Sequence, residues 1–122
     1  MSNIVCWLDI PVTDLDRAIG FYSALLGEAA IKQAAEGMEF GLLPHASDGV
    51  SGCLVVTKDS RPSQNGPLVY LSVEGRLDAA LEAVREGGGK VMKEKHPIGP
   101  HGFRAIVVDS EGNRIALHSM TG

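Results

Sequence analysis

Long apolar runs, a basic surplus and a cysteine framework are all missing from this chain. No hydrophobic stretch approaches the roughly 20 residues that span a bilayer, so no membrane-crossing helix is expected. The first residues, Met1-Ser2-Asn3-Ile4, carry no basic cluster and lead into an apolar stretch, which reads against a signal peptide. Lysine and arginine total 11 against 15 aspartates and glutamates, for a net charge of −4. No basic patch for nucleic acid follows from that balance. The two cysteines, Cys6 and Cys53, sit in separate apolar stretches with no Cys-x-x-Cys or paired Cys/His spacing. Neither a zinc site nor a disulfide is expected, and both read as buried packing thiols of a cytoplasmic protein. Gly-x-Ser-x-Gly and P-loop patterns are absent. Gly87-Gly88-Gly89 follows a predicted helix instead of opening one, so it is no phosphate cradle.

What is present is a repeat. Ile4-Val5-Cys6-Trp7-Leu8-Asp9-Ile10-Pro11-Val12 precedes a helical stripe of Leu15, Ala18, Ile19 and Tyr22. Leu68-Val69-Tyr70-Leu71-Ser72-Val73 precedes the same stripe in Leu77, Ala80, Leu81 and Val84. Each copy is a short strand followed by a helix with apolar positions at the 3.6 period. Val73 stands 61 residues after Val12, whereas Leu77 stands 62 after Leu15, so one residue is inserted near Arg76. In copy one, strands are expected near 30–33, 38–43 and 52–57, with Pro44–Gly49 as a turn. In copy two they are expected near 90–93, 103–108 and 113–119. Thr13 or Asp14 can cap the first helix, and Gly27 ends it. The polar segment 58–67 is the linker. At 122 residues the chain forms one domain, with module one at about 1–59 and module two at about 68–122. The expected class is α+β: two tandem β-α-β-β-β modules whose curled mixed sheets form a cleft, with the helices outside.

Two motifs carry a resemblance. Val12-Thr13-Asp14-Leu15-Asp16-Arg17-Ala18 with Phe21-Tyr22 and Leu26-Gly27 is one; Asp109-Ser110-Glu111-Gly112-Asn113-Arg114-Ile115 is the other. Together they resemble the vicinal oxygen chelate superfamily, which includes glyoxalase I, bleomycin-resistance proteins and extradiol dioxygenases. The resemblance implies a divalent metal held by His, Glu or Gln from the first and last strand of each module. Carried onto this chain, those positions are Trp7, Leu54, Leu68 and Ala116. None offers a lone pair to a metal, so no metal and no other cofactor is expected.

Strand alternation then suggests what faces the cleft. Trp7, Leu54, Leu68 and Ala116 form an apolar ring; Asp9, Val56, Tyr70 and His118 form a second ring two residues on. Ser72 and Arg114 join them as ligand contacts. Trp7 can stack on a flat ligand or fill the space a metal would occupy. Asp9, His118 and Tyr70 are the candidate catalytic groups, since an Asp–His pair moves protons near neutral pH; pairs of this kind are structural more often than catalytic. His96 and His101 lie in a predicted loop and suggest a lid or a dimer contact. The leading expectation is a homodimer that binds a small organic molecule without metal. The alternatives are a metal-independent lyase or isomerase using Asp9 and His118, and a glyoxalase- or dioxygenase-like metalloenzyme with ligands relocated to His96, His101 or His118.

Overall fold

The computed structural model describes residues 4–46 and 49–122. Part of the expected 44–49 turn therefore lies outside the described residues. Module one contains β1 (Trp7–Pro11), α1 (Leu15–Leu26), β2 (Ile31–Ala35), β3 (Met38–Leu42) and β4 (Ser51–Val55). Module two contains β5 (Val69–Ser72), α2 (Leu77–Glu86), β6 (Lys90–Pro97), β7 (Phe103–Val108) and β8 (Arg114–Ser119). Each module makes one four-stranded mixed sheet. The orders are β1-β4-β3-β2 and β5-β8-β7-β6, with the first pair parallel and the others antiparallel. Among the described residues no helix is long and apolar enough to cross a membrane.

The stripes do what their spacing requires. Ala18, Phe21, Tyr22 and Leu25 are the buried face of α1; Leu77, Ala80, Leu81 and Val84 are that of α2. These faces join Ile10, Val12, Leu54, Val107, Ile115 and Leu117 in one apolar cluster, so both modules share a single core. Each helix packs on its own sheet, and the two helices pack on each other. The triple glycine has a packing role here. A Cβ at Gly87 or at Gly89 would lie 2.9 Å from the Phe21 ring, so both positions must stay bare for α1 to seat against the end of α2. Asp14 caps α1 by accepting the Arg17 N–H at 3.0 Å, and Gly27 ends it at φ 75°.

Two boundaries and the burial of one cysteine differ from expectation. The first strand begins at Trp7, and Ile4 is 98% exposed. Cys6 is likewise exposed, which corrects its reading as a packing thiol; Cys53 is buried as expected. β6 runs on to Pro97 through two register shifts, taking up half of the expected loop. Bulges of this kind twist the strand and let it continue through residues whose alternation is irregular.

The modules are joined by the β7–β8 turn. The Glu111 side chain is fully covered, and its carboxylate accepts from the Thr13 and Asp14 N–H groups, the Thr13 hydroxyl and the Arg17 guanidinium, whose Nε lies at 2.7 Å. Asp109 accepts the Tyr22 hydroxyl and the backbone N–H groups of Glu111 and Asn113. Asn113 Nδ2 donates to the Pro11 carbonyl at 2.8 Å. Burial alone would push the Glu111 carboxyl up, but donors from Arg17, Asp14, Ser110 and Thr13 outweigh it and hold its pKa at about 2. A carboxyl depressed on folding contributes stability above its unfolded value of about 4.3. That contribution is lost as pH falls towards about 2. The urea midpoint is therefore expected to fall between roughly pH 4.5 and 2. Glu111→Gln is expected to cost about 2 kcal/mol at pH 7 and to flatten that acid dependence. An unchanged pH profile in the variant would contradict the anchor role.

Candidate functional site

One face of each sheet is covered by its helix; the other is open. On module two the register of β5, β7 and β8 decides which residues share the open face. Ile115 and Leu117 pair with Val107 and Ala105 and enter the core. The alternate row pairs Arg104 with His118, Ile106 with Ala116, Tyr70 with Ala116 and Ser72 with His118. Here a cavity of about 620 Å³ opens, lined by Tyr70, Ser72, Ile98, His101, Arg104 and His118. Arg104 Nε donates to His96 Nε2 at 3.0 Å, and its terminal nitrogen donates to the Tyr70 hydroxyl. His96 Nδ1 lies 2.9 Å from the Glu94 carbonyl. His118 Nε2 lies 2.6 Å from the His101 carbonyl, so that nitrogen is the donor, and Nδ1 has no partner among the described residues. The Tyr70 and His118 rings are tilted at 59° with centroids 6.4 Å apart.

On module one, parallel pairing sets Trp7 opposite Ser51 and Asp9 opposite Cys53. Asp9 Oδ1 accepts the Trp7 indole N–H at 3.0 Å and the Cys53 thiol at 3.3 Å. Burial first, and then the neighbouring Asp9 carboxylate, pushes the Cys53 thiol up to about 11.

The site residues expected from the sequence separate into groups. Tyr70, Ser72 and His118 meet at the larger cavity. Ala116 is fully buried in the row beneath Tyr70. Leu68, half-buried, precedes β5, and Arg114 reaches the Gly66 carbonyl at 3.3 Å in the linker. Trp7 and Asp9 share the module-one face. Leu54 and Val56 do not join them. Leu54 is 0% exposed and belongs to the core cluster. Val56 follows β4 and lines a separate space of about 470 Å³ with Leu15 and the 36–39 turn. The reason is a slip of one residue in β4, which turns the strand over. Cys53, opposite Asp9, occupies the row that Ala116 occupies opposite Tyr70. Asp9 lines neither cavity, and no described hydrogen bond links it to His118.

Sequence reasoning gave no role to Arg104 and read His101 as a lid or dimer contact. The signal for Arg104 was available: Arg104, Ile106 and Val108 alternate with the buried Ala105 and Val107.

The two paired sheets in β-α-β-β-β order, each with a parallel first and last strand, agree with a family model. The model described as Glyoxalase/Bleomycin resistance protein/Dioxygenase superfamily matches residues 4–117. The chain belongs to that superfamily. A glyoxylase-like domain-containing protein of Didymella fabae is 30% identical over 120 residues, covering 94% of this chain and 92% of its own length. Among solved structures, a glyoxalase/bleomycin resistance protein from Albidiferax ferrireducens T118 matches with TM-score 0.74 and 20% identity, over 96% of this chain and 98% of that one. A glyoxalase-related enzyme from Fulvimarina pelagi matches with TM-score 0.72 and 14% identity, over 94% and 86%. Glyoxalase I from Zea mays matches with TM-score 0.69 and 22% identity; 92% of this chain covers 44% of that one. At these identities the structures show the shared fold and nothing of the chemistry.

The thiol geometry of this glyoxalase-superfamily chain generates a direct test. At pH 8 a thiol with a pKa of about 11 is about one part in a thousand thiolate. Cys6 is expected to react quickly with a disulfide reagent and Cys53 slowly. Asp9→Asn removes the carboxylate that holds the Cys53 proton and is expected to speed the slow phase. Equal slow phases in both proteins would show that burial alone sets the rate.

Proposed function

We propose that the chain binds a small organic molecule at the open face of module two, without the divalent metal of the family's enzymes. The observation that carries this reading is the 620 Å³ cavity, a size suited to small ligands, walled by apolar and hydrogen-bonding side chains. The donor set is the second support. The positions that the resemblance gives to metal ligands hold Trp7, Leu68 and Ala116, with Cys53 in the remaining row. Cys53 alone could ligate, and its proton is held by Asp9. These residues do not suit a divalent metal. Relocation to the histidines finds little support. His96 is engaged at both ring nitrogens, and the described residues contain no group of three or more His, Cys, Asp or Glu that could hold an ion.

Open sheet faces with exposed Trp7, Met38 and Tyr70 favour a homodimer, in which a second copy covers them. A cytoplasmic setting agrees with two free thiols. Sequestration of the ligand is favoured over proton transfer, because only His118 and Tyr70 of the three candidate acid–base groups meet at the cavity.

The test is metal content together with ligand capture. Tag-free protein is incubated with Ni, Zn, Mn and Fe salts, dialysed and assayed by mass spectrometry. Substoichiometric metal is expected; one tightly held ion per chain would overturn the metal-free reading. In a thermal-shift screen of small organic molecules, stabilising compounds are expected to lose their effect in Ser72→Trp, which fills the cavity. Hits that survive this change would place binding elsewhere.

A further inference from the structure

We infer that the module-two cavity is a carboxylate site, with Arg104 as the group that takes the anion; this rests on the cavity-binding reading above. Arg104 is half-buried on β7, an inner strand of the sheet, opposite His118. The described ion pairs engage Arg17, Lys32, Arg85 and Lys95, and none engages Arg104. Its two side-chain partners are neutral. The Tyr70 hydroxyl accepts one N–H, and His96 Nε2 accepts another, which only an unprotonated imidazole can do. The guanidinium is therefore oriented by its neighbours and not neutralised by them. Three of its five N–H groups have no partner among the described residues.

The rest of the sheet keeps acids away. β5, β7 and β8 contain no aspartate or glutamate. Glu94 on β6 is turned to Arg85 of α2, with oxygen and nitrogen 2.8 Å apart. Glu74 is spent on the Ser119 hydroxyl and the Met120 N–H, and Asp109 and Glu111 on module one. A half-buried cation left without an acid is costly, and an incoming anion offsets that cost. The other groups suit the same ligand. Tyr70 accepts from Arg104, so its own hydroxyl proton is available to a ligand oxygen. Ser72 offers a hydroxyl that has no partner among the described residues. Ile98 supplies an apolar wall for the ligand's body. One guanidinium, with no lysine among the lining residues, matches a single planar negative charge held by two parallel hydrogen bonds. That favours a carboxylate over a phosphate.

The experiment is a nuclear magnetic resonance titration of ¹⁵N-labelled protein with 2-naphthoate, its neutral isostere 2-naphthamide, and 2-naphthyl phosphate. The amides of Ser72 and His118 and the Arg104 Nε–H report on the site. The carboxylate is expected to bind about 10- to 100-fold more tightly than the amide. Arg104→Gln is expected to bring both to one affinity, and Arg104→Lys to restore only part of the difference. Equal affinities in the unaltered protein, with shifts still at the cavity, would overturn the carboxylate assignment and leave cavity binding standing. Tighter binding of the phosphate would also overturn the assignment. No shift at any cavity residue with any of the three would overturn both readings. The wild-type comparison does not depend on either variant folding.

Discussion

The covered carboxylate of Glu111 is the interaction on which the two halves of this molecule depend. It sits at the end of a module-two hairpin, yet most of its donors belong to module one: two backbone N–H groups, a hydroxyl and a guanidinium. Asp109 and Asn113 extend the same turn to Tyr22 and to the Pro11 carbonyl. A buried carboxylate is tolerated only when its lone pairs are filled, so this turn admits one placement of β1 and α1 and resists others. The apolar helix faces supply most of the cohesive energy, but apolar contact is non-directional. The hydrogen bonds set the angle at which the modules meet, and with it the direction in which each open face points.

Much of this was legible. The repeated strand-and-stripe pattern located both helices and the core, because one amphipathic period must be buried twice. Even the anchor was visible as two motifs, 12–18 and 109–115, although nothing in their spacing revealed that Thr13, Asp14 and Arg17 are the partners of Glu111. Facing in β4 was not legible. Cys53-Leu54-Val55-Val56 is a continuous apolar run, so it lacks the alternation from which a strand's two sides are told apart. Leu54 and Cys53 are therefore alike in pattern, and a single-residue slip exchanges the core row for the open-face row. The polar network around Arg104 escaped for another reason. It links β5, β6 and β7 through side chains that are distant in sequence, and only pairing register brings them together.

The repeated architecture of the modules does not make their open faces alike. Module one presents an indole, a carboxylate and a protonated thiol that bond one another. Module two presents a guanidinium, imidazoles, a phenol and a serine hydroxyl around empty volume. The first face is largely satisfied within itself, whereas the second turns its polar groups to open space. Membership of the superfamily accounts for the scaffold. It does not account for that division, which arises from individual substitutions on a shared fold.

Thr13 and Glu111 are 98 residues apart, and this separation bears on how the chain is made. Synthesis proceeds from the N-terminus, so every strand of module one is complete long before the residue that fixes β1 to α1 exists. Until then the Thr13 and Asp14 N–H groups and the Arg17 guanidinium stay solvated, and the Phe21 face of α1 lacks the α2 surface it packs on. Closing so long a loop is entropically slow, and its reward comes only when the final hairpin forms. The nascent first half thus stays an unfinished sheet until the β7–β8 turn has been made and can seat Glu111 on β1 and α1.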